Sequence, residues 1–250
     1  MNAAHYEYVR RLGDNALILG QRLAEWCGHS PFLEEDIAMA NSALDLIGRA
    51  RMLYGHAAAL EGRGRDEDAL AYGRDEREFG NFLICELPKG DYAFTLVRQY
   101  LLDVYHHQLF AALTRSSDET LAAIAAKAVK EAAYHVRRSG DWVLRLGDGT
   151  AESHARCQDA LDELWAYTGE LFAGDGVDEA MAQAGIGIAP ATLAADWRAE
   201  VEALLTRATL ALPRDDWQAG GGRAGLHTEH MGRLLAELQF VQRAYPGLAW

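Results

Sequence analysis

A chain of 250 residues, half of them hydrophobic, can bury one sizeable core without metal or disulfide staples. Its net charge of −13, with no compensating basic block, argues against nucleic acid or an anionic membrane as partner. Three cysteines, Cys27, Cys85 and Cys157, are odd in number and far apart, and read as buried thiols of a reducing compartment.

At the N-terminus, Arg10-Arg11 precedes the apolar run Ala16 to Leu19, but Asp14, Asn15 and Gln21-Arg22 interrupt anything like the core of a signal peptide. No stretch approaches the roughly 18 consecutive apolar residues of a membrane span. A cytoplasmic protein is the expectation.

Helical periodicity dominates the chain. The first helix is predicted from about Tyr6 to Cys27, with Leu12, Ala16, Leu19, Leu23 and Trp26 as its core stripe and Gly28 ending it. Ser30-Pro31 reads as N-cap and first residue of a second helix, which Gly62-Arg63-Gly64 stops after about Leu60. At ~1.5 Å per residue that helix is roughly 45 Å long, a bundle dimension. Residues 65 to 90 are charged and broken, and predict short helices forming a long crossover. A third helix follows from about Asp91 to Thr114, and a fourth from Asp118, as N-cap, to Leu146 before Gly147-Asp148-Gly149. Further helices are predicted at about Ala151 to Phe172, Val177 to Ala184, Ala191 to Leu210 and Thr228 to Ala244, with Gly220-Gly221-Gly222 as a flexible hinge. The expected architecture is all-α: a ferritin-like four-helix bundle with a long crossover and additional C-terminal helices, residues 1–250 forming a single domain.

Each long segment carries ionisable residues at spacings of three and four, hence on one face. The first has Asp14, Gln21 and Glu25; the second Asn41, Asp45, Gly48 and Met52. The third has Gln99, Asp103 and His106; the fourth Lys127, Glu131, Tyr134, His135 and Arg138. Ferritin-like di-iron proteins supply a Glu from each of two helices and Glu-x-x-His from each of the other two. An acidic quartet is present here, Glu25, Asp45, Asp103 and Glu131, but the imidazoles are misplaced. Gly48 stands where Asp45-x-x-His would need a ligand, Tyr134 follows Glu131 where His is wanted, and His135 comes one residue late. Lys127 precedes Glu131 by one turn, and a buried ammonium suits orphan carboxylates better than it suits ferrous ions. The favoured reading is a vestigial site: Glu25, Asp45, Asp103, His106, Lys127, Glu131 and His135 form a buried polar network without metal or cofactor. The alternatives are a di-iron oxygenase using those residues in an unusual register, or a mononuclear site or ligand pocket built from them.

The stretches Arg11-Leu-Gly-Asp14, Gln21-Arg-Leu-Ala-Glu-Trp-Cys-Gly-His29, Leu44-Asp-Leu-Ile-Gly48, Arg74-Asp-Glu-Arg77, Lys130-Glu-Ala-Ala-Tyr-His135 and Gly225-Leu-His-Thr-Glu-His230, with the closing Trp250, together resemble the C-subunit family of bacterial phenylacetyl-CoA epoxidase (phenylacetate-CoA oxygenase) complexes. Such complexes form the ring epoxide of phenylacetyl-CoA with molecular oxygen. Electrons reach them through a flavin and iron–sulfur reductase subunit. The resemblance implies a structural partner for the catalytic di-iron A subunit in a homo- or hetero-oligomer, with the reductase an indirect partner and no working iron centre in this chain. The Gly48 and Tyr134 positions agree with that loss.

Other segments carry weaker signals. His227-Thr228-Glu229-His230 lacks the order of a zinc-protease motif, and Thr228 reads more simply as an N-cap. The runs Asp66-Glu67-Asp68 and Arg74-Asp75-Glu76-Arg77 read as solvated faces with local ion pairs. Trp142, Trp165, Trp197 and Trp217 read as core or interface anchors. Trp250, beyond Pro246-Gly247, is expected to dock on a partner subunit, so that deleting residues 246 to 250 weakens complex formation.

Overall fold

The computed structural model describes residues 3–248 and is all-α, with no strand among the described residues. Helix number and lengths match a ferritin-like bundle. The chain divides into two compact units, Met1–Pro88 with Gly220–Trp250, and Lys89–Ala219.

The first unit is built on two long helices, α1 (Ala3–Ala24) and α2 (Leu33–Glu61). They run antiparallel: Gly13 of α1 meets Tyr54 of α2, and Gly20 meets Ala43 and Leu46. α1 buries Val9, Ala16, Ile18, Leu19 and Leu23, whereas Leu12 is half-buried. α2 begins two residues later than Ser30-Pro31 predicts, because Asp36 reaches back to accept the backbone N–H groups of Gly28 (2.7 Å) and Ser30 (3.4 Å) and holds that stretch as a loop. Its end is as expected: Gly62, at φ 67°, caps the helix by donating to the Ala58 carbonyl. The crossover contains α3 (Glu67–Tyr72), a 3-10 turn at Glu76–Glu78 and α4 (Leu83–Glu86). The last predicted helix is broken at Gln239 into two elements.

The second unit is built on α5 (Tyr92–Leu113) and α6 (Glu119–Gly147). Their N-caps are Asp91 and Asp118, which accept the N–H groups of Phe94 and Leu121. Against them pack α7 (Ala151–Trp165) and α9 (Ala194–Arg207), while α8 (Gly176–Gln183) lies between these in sequence. Trp165 and Trp197 are buried with ring centroids 5.7 Å apart, Trp142 is half-buried, and Trp217 is exposed. The C-terminal return to the first unit carries α10 (Glu229–Leu238) and α11 (Phe240–Ala244). Gly222 is no free hinge: a Cβ there would lie 2.2 Å from the Asn81 carbonyl oxygen. Cys85 and Cys157 are buried, but Cys27 is exposed in the turn after α1. Trp250 lies outside the described residues.

Candidate functional site

Within the first unit the two predicted acids are not deeply buried. α1 ends at Ala24, so Glu25 sits in the following turn, half-buried, with one oxygen 2.6 Å from Arg22 Nη1. On α2 the core face is Met39, Ala43, Leu46, Ala50, Leu53 and Tyr54, rotated from the predicted stripe. Asn41 is exposed, Asp45, Gly48 and Met52 are half-buried, and no heavy atom of the described residues lies within 4 Å of where a Cβ on Gly48 would stand.

In the second unit, Asp103, His106 and His135 are buried. Asp103 Oδ2 accepts from Ser139 Oγ at 2.8 Å, and Gln99 Nε2 lies 3.5 Å from Oδ1. The His106 ring packs 5.9 Å from Tyr105 and 6.1 Å from Phe110, centroid to centroid. Lys127 departs from expectation. Its side chain is 60% exposed and its ammonium meets Glu131 Oε1 at 3.4 Å, across one turn of α6. The register explains this: the buried face of α6 runs through Ile124, Ala128, Ala132, His135 and Ser139, leaving Lys127 on the flank and Tyr134 half-exposed. The deeply buried cations are instead arginines: Arg49 at 1% and Arg98 at 0% exposure. A guanidinium keeps its charge in proteins, so each brings a permanent cation indoors.

Two of the positions where the ferritin-like pattern wants an imidazole, Gly48 and Tyr134, carry none. Among the described residues of the second unit, Asp103, His106, Glu131 and His135 do not bring three ligand atoms within 4.8 Å of one another. Gly48 has no donor, and Glu25 and Glu131 are each held by a cation of their own helix region.

The tightest polar cluster lies elsewhere, in the first unit, around Asp14. This fully buried carboxylate accepts from Arg10 Nη1 (2.6 Å), Tyr54 Oη (2.7 Å), the Gly80 backbone N–H (2.8 Å) and both terminal nitrogens of Arg74. Arg74 also donates to the carbonyls of Leu70 and Glu78 and lies 4.0 Å above the Phe79 ring. Arg10 takes a second acid, Glu7, at 2.5 Å, and Glu7 also pairs with Arg11 at 2.8 Å, so three arginines share two carboxylates. Burial pushes the Asp14 carboxyl up, but the charges of Arg74 and Arg10 outweigh it and hold the group below its ordinary value. The same burial and charges act on Tyr54, whose hydroxyl is raised well above its usual value, first by desolvation and then by Asp14. Arg74 departs from the expected solvated face, being 2% exposed; its partner lies 60 residues away, beyond the reach of local pattern.

A second buried pair ties down the C-terminal return. His227 Nδ1 lies 2.7 Å from Glu86 Oε2, its Nε2 3.1 Å from the Phe79 carbonyl, and Thr228 N–H donates to Glu86 Oε1. With acceptors at both ring nitrogens the imidazolium is favoured; burial opposes this, but the hydrogen bond and charge of Glu86 prevail, and the group sits above its ordinary value. Thr228 caps α10 as expected, accepting the His230 N–H at 3.3 Å. Asn81 donates to Glu86 at 2.9 Å, and Arg22 donates twice to the Glu86 carbonyl. The segments 11–14, 74–77 and 225–230 that carry the sequence resemblance therefore meet inside one unit: Asp14 on Arg74, and Gly225 against the Arg77 carbonyl.

Comparison with known proteins agrees over the whole length. A family model described as "Phenylacetic acid catabolic protein" matches residues 1–250. The chain is similar to the C subunit of 1,2-phenylacetyl-CoA epoxidase from Escherichia coli (strain K12), at 52% identity over 243 residues, covering 97% of this chain and 98% of the relative. No helix among the described residues is long and apolar enough to cross a membrane.

Proposed function

Because the chain belongs to the phenylacetic acid catabolic protein family, we propose that it is the structural, non-catalytic subunit of a phenylacetyl-CoA epoxidase in aerobic phenylacetate degradation. It scaffolds the catalytic di-iron subunit, and the reductase acts on the complex and not on this chain. The observation that carries this is the end-to-end 52% identity to the C subunit of such an epoxidase. The donor set supports it: a ferritin-like centre needs two Glu-x-x-His pairs, and Gly48 and Tyr134 occupy the positions of the imidazoles. A scaffold of this kind works through rigidity, and the Asp14 and Glu86 clusters tie down the crossover and the C-terminal return.

Co-expression with the catalytic subunit, followed by purification and elemental analysis of each chain, tests the reading. The expected result is a stable complex in which iron accompanies the catalytic subunit, and loss of that subunit's stability when this chain is omitted. About two iron ions per chain on this protein alone, with epoxidation abolished by Glu131→Ala, would make it an oxygenase subunit in its own right.

A further inference from the structure

The first half of α2 carries an apolar stripe that is largely exposed among the described residues. Leu33, Ile37, Ala40, Leu44 and Ile47 follow one another at spacings of four, three, four and three, the repeat of a coiled-coil seam. Leu33 is 72%, Leu44 64% and Ile37 53% exposed, Ala40 is half-buried, Ile47 is 37% exposed with its Cγ1 against Gly20 of α1, and exposed Phe32 extends the stripe at its N-terminal end. Singly scattered apolar residues on a surface are ordinary; a continuous row along four turns is not.

A second, independent feature lies beside that row. Gly48 and Gly55 sit in the interior of α2, where glycine weakens a helix relative to alanine. Beyond their own helix turn, neither has a heavy atom of the described residues within 4 Å of where its Cβ would be, so no packing among the described residues accounts for the absence of a side chain. Small residues next to an apolar seam let a neighbouring helix backbone come close. Glu34 and Asp45 border the seam on one side and Asp36 on the other, with Arg51 at its far end.

We infer that this α2 seam is the docking surface for a helix of the catalytic subunit, one that presents its own four-three apolar row flanked by Lys or Arg. The inference rests on the scaffold reading above. Charge selects a different chain over a second copy. Parallel self-pairing sets Glu34, Asp36 and Asp45 against themselves. Antiparallel self-pairing needs Arg51 for the acids of its mate, and Arg51 is already 3.0 Å from Glu67.

The test measures binding of the purified catalytic subunit to Leu44→Glu and, separately, to Ile37→Glu and Gly48→Ala. Both apolar positions are exposed, so circular dichroism and melting temperature of the isolated chain should be unchanged for the Glu variants and raised for Gly48→Ala. Affinity should fall at least ~30-fold for each Glu variant, the loss typical of a central interface anchor, and should also fall for Gly48→Ala. Folded variants that bind like the unaltered chain overturn the seam and leave the scaffold reading intact. Failure of the unaltered chain to bind the catalytic subunit overturns the scaffold reading itself. If the Glu variants keep the catalytic subunit but lose self-association, the occupant is a second copy and the inference is wrong.

Discussion

Asp14 shows how a single residue fixes the first unit. With two guanidiniums on one carboxylate, its removal leaves like charges buried side by side. Asp14→Ala is expected to cost ~3–5 kcal/mol, read as a lowered urea midpoint at unchanged slope. Because Asp14 is held below its ordinary value, its stabilisation is complete above about pH 3.9 and is lost as pH falls through the lower folded value. His227 has the opposite sign. Its raised value means that its contribution is complete below about pH 6.5 and declines as pH climbs through the higher folded value. His227→Gln should therefore flatten the stability profile on the alkaline side of that point, and denaturation across pH 6 to 9 would show an unchanged slope if the pair contributes nothing. Lys127 behaves as a surface residue: it reaches half-buried Glu131 from an exposed position one turn away, and Lys127→Ala is expected to cost less than ~0.5 kcal/mol.

The elements of this protein are set mainly by their ends. Asp91, Asp118, Thr150 and Thr228 each accept a backbone N–H at the first turn of a helix, and such caps are visible in the sequence because donor and acceptor lie two or three residues apart. The α2 start escaped that logic because Asp36 caps the preceding loop and not the helix. Where an element touches a distant one, glycine does what local pattern does not reveal. Gly225 has φ 74°, and a Cβ there would stand 2.3 Å from the Arg77 carbonyl oxygen. Gly28 has φ 78° with open space around it. Gly225→Ala thus meets both backbone strain and a clash and is expected to cost at least ~2 kcal/mol, whereas Gly28→Ala pays the strain of ~1–2 kcal/mol alone. Thermal melts of the two variants side by side separate these contributions.

At the scale of the whole molecule, the chain leaves the first unit at Pro88 and returns at Gly220. The return is bonded, not draped. His227 and Thr228 hold Glu86, Gln239 donates to the Ala71 and Arg74 carbonyls, and Arg243 donates to the Arg74 carbonyl and to Asp75. Deleting residues 220 to 250 strips the buried Glu86 carboxylate of two donors, so amides of α1 and α2 should lose hydrogen-exchange protection. Unchanged protection there would mean that the return contributes nothing to the first unit.

The sequence by itself determined that the protein is all-α, and where its long helices begin and end to within a few residues. Those features depend on neighbours within one or two turns, and a 3.6-residue period with its caps exposes them. Tertiary structure alone decided that Arg74 is buried on Asp14, that Glu86 pairs with His227, that Lys127 faces outward, and that α2 turns Met39, Ala43 and Leu46 inward while Leu33, Ile37 and Leu44 stay exposed. Each of these is settled by a partner tens of residues away or by a helix rotation of a fraction of a turn, and the free energy of burying a charge beside its counter-charge appears only once the fold has brought the two together.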